Sequence, residues 1–220
     1  LSRIANARII KNSANRFFGP ACNQGVKAAR GEYVLFLNSD AFVHPGCVSS
    51  LVDTMDSSPN IGAAGARLVS PEGRLREAGS IIWQDGSALA YGREDDPSKP
   101  EYCYRRDVDY CSAACLIVRR DAFERLGGFD EAFVPAYYED TDLCMRLWDT
   151  GLRVVYQPLA VATHVEFSGS SYEKAAELMK RRQATFRAKH RRTLDRKPPF
   201  NERNITKARD INTSPRILVM

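Results

Sequence analysis

The chain has 220 residues, is 44% hydrophobic and 27% charged, and carries 14 Gly and 11 Pro. That composition fits one globular domain with a sizeable core and excludes a disordered chain. No fixed period marks a repeat protein, and no apolar run approaches the roughly 20 residues that span a membrane. The net charge of +5 raises nucleic acid and anionic membranes as partners.

In chain order, Ala7-Arg8-Ile9-Ile10 reads as a short strand and residues 19–30 as a helix ended by Gly31. Tyr33 to Leu37 is a continuous apolar run, the pattern of a buried parallel strand. Pro45 marks a helix start, where its missing N–H costs nothing, and that helix ends near Pro59. Ile61 to Val69 is a strand, followed by a turn at Pro71-Glu72-Gly73. Residues 85–106 are polar and rich in Gly, Pro and Asp, and read as a loop. Tyr110 to Val118 is another buried strand. Asp121 caps a short helix that ends at Gly127-Gly128, and Asp130 caps the segment after it. Asp140 to Thr150 is a helix stopped by Gly151, and Leu152 to Tyr156 a strand. Strands alternating with helices define an α/β domain.

The basic excess is local. Residues 172–197 hold ten Lys or Arg against three Asp or Glu, and the rest holds 22 basic and 24 acidic residues. Ser170-Ser171-Tyr172-Glu173 opens this segment with a capping-box pattern. Tyr172, Ala175, Met179, Phe186 and Leu194 form its apolar face, and Pro198-Pro199 stops it. It reads as a surface helix with a solvated basic face, or as a contact for an anionic membrane or lipid-linked acceptor. Nucleic acid is not expected, because no aromatic-interleaved basic patch accompanies the charge. Residues 198–215 read as a polar linker and Arg216 to Met220 as a first strand of something further on. The six cysteines show no CxxC pairing and read as reduced, buried thiols of a cytosolic protein.

Three stretches offer chemistry. In Phe36-Leu37-Asn38-Ser39-Asp40 a strand ends in a carboxylate, which either caps a turn or holds a hard cation that bridges diphosphate oxygens. In Tyr137-Tyr138-Glu139-Asp140-Thr141-Asp142 three carboxylates crowd a helix entry. They complement the helix dipole, or supply a general base whose pKa its like-charged neighbours raise. The two tyrosines suit a platform for sugar rings. His164 ends an apolar run, as a hydrogen-bonded core residue or as a metal ligand. No P-loop, GxGxxG or GxSxG occurs.

In order, Asn23-Gln24-Gly25, residues 28–40, Cys111 to Arg120, Gly127-Gly128-Phe129-Asp130-Glu131, Tyr137 to Cys144 and His164 resemble a family 2 glycosyltransferase of the GT-A fold, in its rhamnosyltransferase-like bacterial group. The resemblance covers roughly residues 7 to 170 and rests on five motifs and His164 in the right order. It implies a Rossmann-like mixed sheet flanked by helices. It also implies an inverting transferase that moves a sugar from a nucleotide-diphosphate donor to an acceptor hydroxyl in bacterial cell-surface polysaccharide synthesis.

By the same resemblance Asn38, Asp40 and Asn23 contact the donor, and Asp40 and His164 hold Mg²⁺ or Mn²⁺. Asn38 stands where the first Asp of an Asp-x-Asp motif is usual, and Cys22 where an Arg usually precedes the Asn. Asp140 is the base, with Tyr138, Glu139 and Asp142 at the acceptor. No Gln-x-x-Arg-Trp follows His164, which argues against a processive synthase. The family's opening nucleotide-binding strands are not recognisable, so residues 1–170 are expected to be a partial GT-A domain. Residues 171–197 follow as a basic helix and 198–220 as a linker with the first strand of a following domain. The expected setting is cytoplasmic, with peripheral contact at the inner face of the membrane through 172–197. A non-catalytic binding or scaffolding module and a nucleotidyltransferase-like domain are the alternatives.

Overall fold

The computed structural model describes residues 7–166, 172–209 and 211. Its elements are α1 (Phe18–Ala28), β1 (Tyr33–Leu37), β2 (Ala41–Val43), α2 (Cys47–Asp56), β3 (Ile61–Val69), β4 (Leu75–Glu77), β5 (Ser80–Ile82), β6 (Ala88–Ala90), β7 (Arg106–Asp107), β8 (Cys115–Arg119), α3 (Arg120–Arg125), α4 (Glu139–Asp149), β9 (Arg153–His164), α5 (Tyr172–Lys189), α6 (Arg191–Leu194) and α7 (Ile205–Arg209). The main sheet runs β1-β8-β3-β9-β2, with β4 added to β3 and β7 to β9, while β5 and β6 form a separate hairpin. β3 and β9 are parallel; the other named pairs of the sheet are antiparallel.

Alternation along the strands gives the sheet two apolar faces. Ala64, Ile117 and Val155 face α2, packing with Leu51 and Met55. Ala63, Leu116, Val118 and Val154 face the other way, with Phe123, Phe129, Leu143 and Leu147 beside α1, α3 and α4. Gly65 is required by close approach, because a Cβ there would lie 2.1 Å from the Cys111 Cβ.

This topology gathers several chain ends at one edge of the sheet. Leu37, the last residue of β1, pairs with Cys115, the first of β8. Val69 at the end of β3 pairs with Thr163 near the end of β9. Leu68 pairs with Glu77 of β4, and Ala41 of β2 with His164. Asn38, Asp40, Glu77, Ala113 and His164 therefore share one edge.

Several expectations change. Residues 7–10 have no regular structure and lie exposed. β1 is an antiparallel edge strand of the described sheet in which only Phe36 is buried. The strand expected from Tyr110 begins instead at Cys115. The peptide N–H groups before it are taken by side chains: Ser112 N–H donates to Glu77 Oε1 (2.9 Å) and Ala113 N–H to Asp140 Oδ2 (3.1 Å). The loop expected over 85–106 contains β6 and the start of β7. β9 extends from Arg153 to His164, merging two runs that the sequence separates. The single basic helix breaks at His190 into α5 and α6, and Met179 is exposed rather than packed. The Ser170-Ser171 cap and Arg216–Met220 lie outside the described residues.

Candidate active site at the sheet edge

At the metal-like end, Asp40 sits in the tight turn between β1 and β2, and its carbonyl accepts the Val165 N–H at 3.0 Å. The β2–β9 pairing then brings Asp40 Oδ1 to 3.5 Å from His164 Nε2, with Asn38 Nδ2 at 3.5 Å from the same nitrogen. On the other side of the ring, Glu166 Oε1 is 3.8 Å from His164 Nδ1. Arg93 clamps Glu166 with two hydrogen bonds, of 3.1 and 2.5 Å, and Arg76 stands at 3.9 Å. A carboxylate and an imidazole are donors that suit Mn²⁺ or Mg²⁺, and an Asn38 amide turned to present its oxygen instead of its Nδ2 would add a weaker, neutral ligand. Among the described residues, no three His, Cys, Asp or Glu side chains converge to hold a metal by themselves. A cation at Asp40 and His164 would draw its remaining ligands from a bound phosphate and water.

The second cluster is carboxylic. Tyr137 and Tyr138 both adopt left-handed backbone (φ 74° and 72°), a conformation that side chains resist. They turn the chain so that Glu139 and Asp140 enter α4 pointing back at the sheet edge. Asp140 is held at both oxygens, by the Ala113 N–H (3.1 Å) and the Thr141 N–H (2.7 Å). Burial raises its pKa, and these N–H groups oppose the rise. Glu139 is pushed up to about 8 by burial and by Asp140, and its Oε2 is buried without a hydrogen-bond partner. Tyr138 donates its hydroxyl to the Gly86 carbonyl at 3.0 Å.

A third carboxylate, Glu77, escaped the sequence reading. It is 5% exposed and burial raises it to about 7, with Asp140 adding to the rise. Arg93 also acts on Glu77, so this arginine stands between the two clusters. A single Glu after a turn carries no motif; only the β3–β4 register places it.

Two expected site residues are committed elsewhere. Asn23 donates to the Phe129 carbonyl and accepts the Phe129 N–H, both at 2.8 Å, which locks α1 to the Gly127-Gly128 turn. A Cβ on Gly128 would meet Asn23 Oδ1 at 2.4 Å, so the glycine exists for this clamp. In the structure these Asn23 bonds are structural, joining α1 to the turn. Asp142 is fully buried and bonded to Arg146 Nε (2.7 Å), Lys189 Nζ (2.7 Å) and His190 Nε2 (2.8 Å). It ties α4 to the α5–α6 break and has no face left for an acceptor. The cavity of about 370 Å³ lined by Asn23, Gly128, Arg146 and Lys189 belongs to this structural side and not to the carboxylates.

Four cysteines (Cys47, Cys111, Cys115 and Cys144) are buried, and all six are free thiols.

Residues 1–127 match the family described as glycosyl transferase family 2. The chain is 30% identical over 215 residues to the N-acetylglucosaminyl-diphospho-decaprenol L-rhamnosyltransferase of Mycobacterium tuberculosis, covering 84% of this chain and 67% of the relative. It is 37% identical over 164 residues to the O-antigen biosynthesis protein RfbC of Myxococcus xanthus, covering 70% of this chain but 13% of that protein. The chain thus spans only part of the relatives it matches. Among solved structures, GalNAc-T7 with UDP, GalNAc and Mn²⁺ superposes with a TM-score of 0.59 at 13% identity, over 90% of this chain and 45% of that one. The fold is GT-A. The chain belongs to glycosyl transferase family 2.

Proposed function

We propose that the protein carrying this chain is an inverting glycosyltransferase that builds bacterial cell-surface polysaccharide from a nucleotide-diphosphate sugar. The observation that carries this reading is the Glu139–Asp140 pair, desolvated and fixed at the same sheet edge as Asp40 and His164. Transfer with inversion needs a base for the acceptor proton on one side of the anomeric carbon and stabilisation of the leaving diphosphate on the other. Asp140 suits the base. Burial raises its proton affinity and two N–H groups fix its direction, so it takes the acceptor proton as the hydroxyl oxygen attacks. Glu139 and the half-buried Tyr138 line the acceptor side.

Asp40 and His164, with Asn38, would hold Mg²⁺ or Mn²⁺, which when bound neutralises the charge of the departing diphosphate. Asn38 and Asp40 would then also be the donor-facing residues. The relative from Mycobacterium tuberculosis is named for a diphospho-decaprenol acceptor, which supports a lipid-linked saccharide as acceptor here. Among the described residues no helix is long and apolar enough to cross a membrane. Lys180, Arg187, Arg191, Arg192 and Arg196 are exposed on α5, α6 and the turn after them. We assign this face to contact with the anionic inner surface of the membrane, from the cytoplasmic side.

The test is a donor screen on the full natural polypeptide with Mn²⁺, following nucleoside diphosphate release and the anomeric configuration of the product by NMR. Transfer with inversion is expected. Retention of configuration, or nucleotidyl transfer in place of glycosyl transfer, would overturn the reading.

A further inference from the structure

Segment 130–138 leads into the Glu139–Asp140 pair at the start of α4 yet has little structure of its own. It contains one 3₁₀ turn at Glu131–Phe133, and then the left-handed Tyr137 and Tyr138. Such backbone persists only where its surroundings hold it. What holds it is the basic helix α5. Arg182 donates through Nη1 to the Ala132 carbonyl (2.8 Å) and through Nη2 to the Val134 carbonyl. Lys189 reaches Asp130 at 2.6 Å. Phe186 is fully buried against Phe133, Met145 and Ile82, with its ring 5.3 Å from that of Tyr138. Gln183 donates to the Asp85 carbonyl (3.2 Å), steadying the turn whose Gly86 carbonyl receives the Tyr138 hydroxyl.

We propose that α5 is a working part of the catalytic edge, and that Arg182 is the positioning residue that fixes the Glu139–Asp140 pair. This rests on the transferase reading above. A surface helix serving only to present charge would not turn a half-buried arginine onto two carbonyls, those of Ala132 and Val134, in the segment that leads into the pair. The Arg182 Nε is itself buried without a hydrogen-bond partner, as is Glu139 Oε2. Three charged or titratable groups bear on Glu139, each from a different helix: Asp140 from α4, Arg182 from α5 and Cys22 from α1. Asp140 is further faced by Glu77 of β4 and Tyr110. Arg182 opposes the rise that burial and Asp140 cause at Glu139. The helix therefore holds the loop by its two forks and tempers the pair by its charge.

The experiment compares Arg182→Gln and Arg182→Lys with the wild type on the full polypeptide, after thermal unfolding confirms folding. Two quantities are read: the titration midpoint of the Glu139 carboxyl by ¹³C NMR, and kcat and donor KM against pH. In Arg182→Gln the midpoint is expected to rise above the wild-type value of about 8, because the opposing cation is gone. The acid limb of kcat should move the same way, with donor KM unchanged within about twofold. Arg182→Lys keeps the charge but not the planar fork, so its midpoint should stay near wild type while kcat falls roughly tenfold. An unmoved midpoint and an unmoved acid limb in folded Arg182→Gln would overturn the proposal. If that variant does not fold, an unchanged kcat in Arg182→Lys would overturn it. A wild type that transfers no sugar would sink the transferase reading alone, since the carboxyl titration still decides whether Arg182 governs Glu139.

Discussion

Replacing Asp142 by Asn tests whether the second acidic residue of α4 is structural. The carboxylate is fully buried among Arg146, Lys189 and His190, at 2.7 to 2.8 Å. Breaking a buried ion pair by removing one partner costs about 3–5 kcal/mol. The lower end applies here, because both neighbouring cations keep other partners. Arg146 still donates to the Leu126 and Gly128 carbonyls (2.9 and 2.8 Å), and Lys189 still reaches Asp130. With a urea slope of about 3 kcal/mol per M for a domain of this size, a loss of about 3 kcal/mol lowers the midpoint by about 1 M. Tryptophan fluorescence follows the transition, since Trp83 is buried and Trp148 partly so. Hydrogen exchange should quicken over residues 186–194, where α5 meets α6.

The same residue predicts a pH signature. Burial alone would raise the Asp142 carboxyl, but His190, Arg146 and Lys189 outweigh it and hold the group below its usual range. Its stabilisation is therefore complete above the unfolded value of about 3.9 and is lost as pH falls through the lower folded value. The gap between wild type and Asp142→Asn should close as the solution is acidified through that window. An unchanged urea midpoint together with a raised acceptor KM would refute the structural role and restore Asp142 to the acceptor site.

Asn23→Ala removes both bonds to Phe129 and should cost about 2–4 kcal/mol in urea unfolding, with donor KM unchanged; a stable variant with a raised donor KM would reverse that assignment. Glu139→Gln should become more stable than wild type as pH rises from 5 to 9. The wild-type carboxyl holds its proton in the fold up to about 8, so the native state loses stability across the window between the unfolded and folded values, and the amide does not; thermal unfolding at several pH values reads this directly, and a constant gap would count against it. With a thiol reagent, the exposed Cys103 should react at once while Cys47, Cys111, Cys115 and Cys144 stay silent until the protein unfolds; early labelling of any of the four would contradict the packing.

Much of the sheet was readable from local pattern. Ile61–Val69 and the helix after Tyr138 appear where apolar runs and Gly151 place them. The motif residues Asp40 and His164 meet because β2 pairs with β9. What local pattern did not reveal depends on register and on long-range partners. Tyr110–Ala114 has the composition of a strand, but its N–H groups serve Glu77 and Asp140, which lie 27 to 35 residues away. Asn23 and Asp142 carry the right motif letters, yet both side chains are consumed inside the fold, a fact only their partners reveal. The basic segment read as a surface with a charged face; one of its arginines, the half-buried Arg182, proves to be bonded to the Ala132 and Val134 carbonyls ahead of the carboxylate pair.

The most direct test of the whole account is Asp140→Asn. The amide keeps the side-chain shape and one oxygen for the Ala113 or Thr141 N–H, so the fold should survive, but it cannot take a proton. Loss of general-base catalysis predicts a fall in kcat of about 10²–10⁴-fold, with nucleotide-sugar affinity by calorimetry unchanged within about threefold. A folded Asp140→Asn variant that transfers sugar at the wild-type rate would contradict the account.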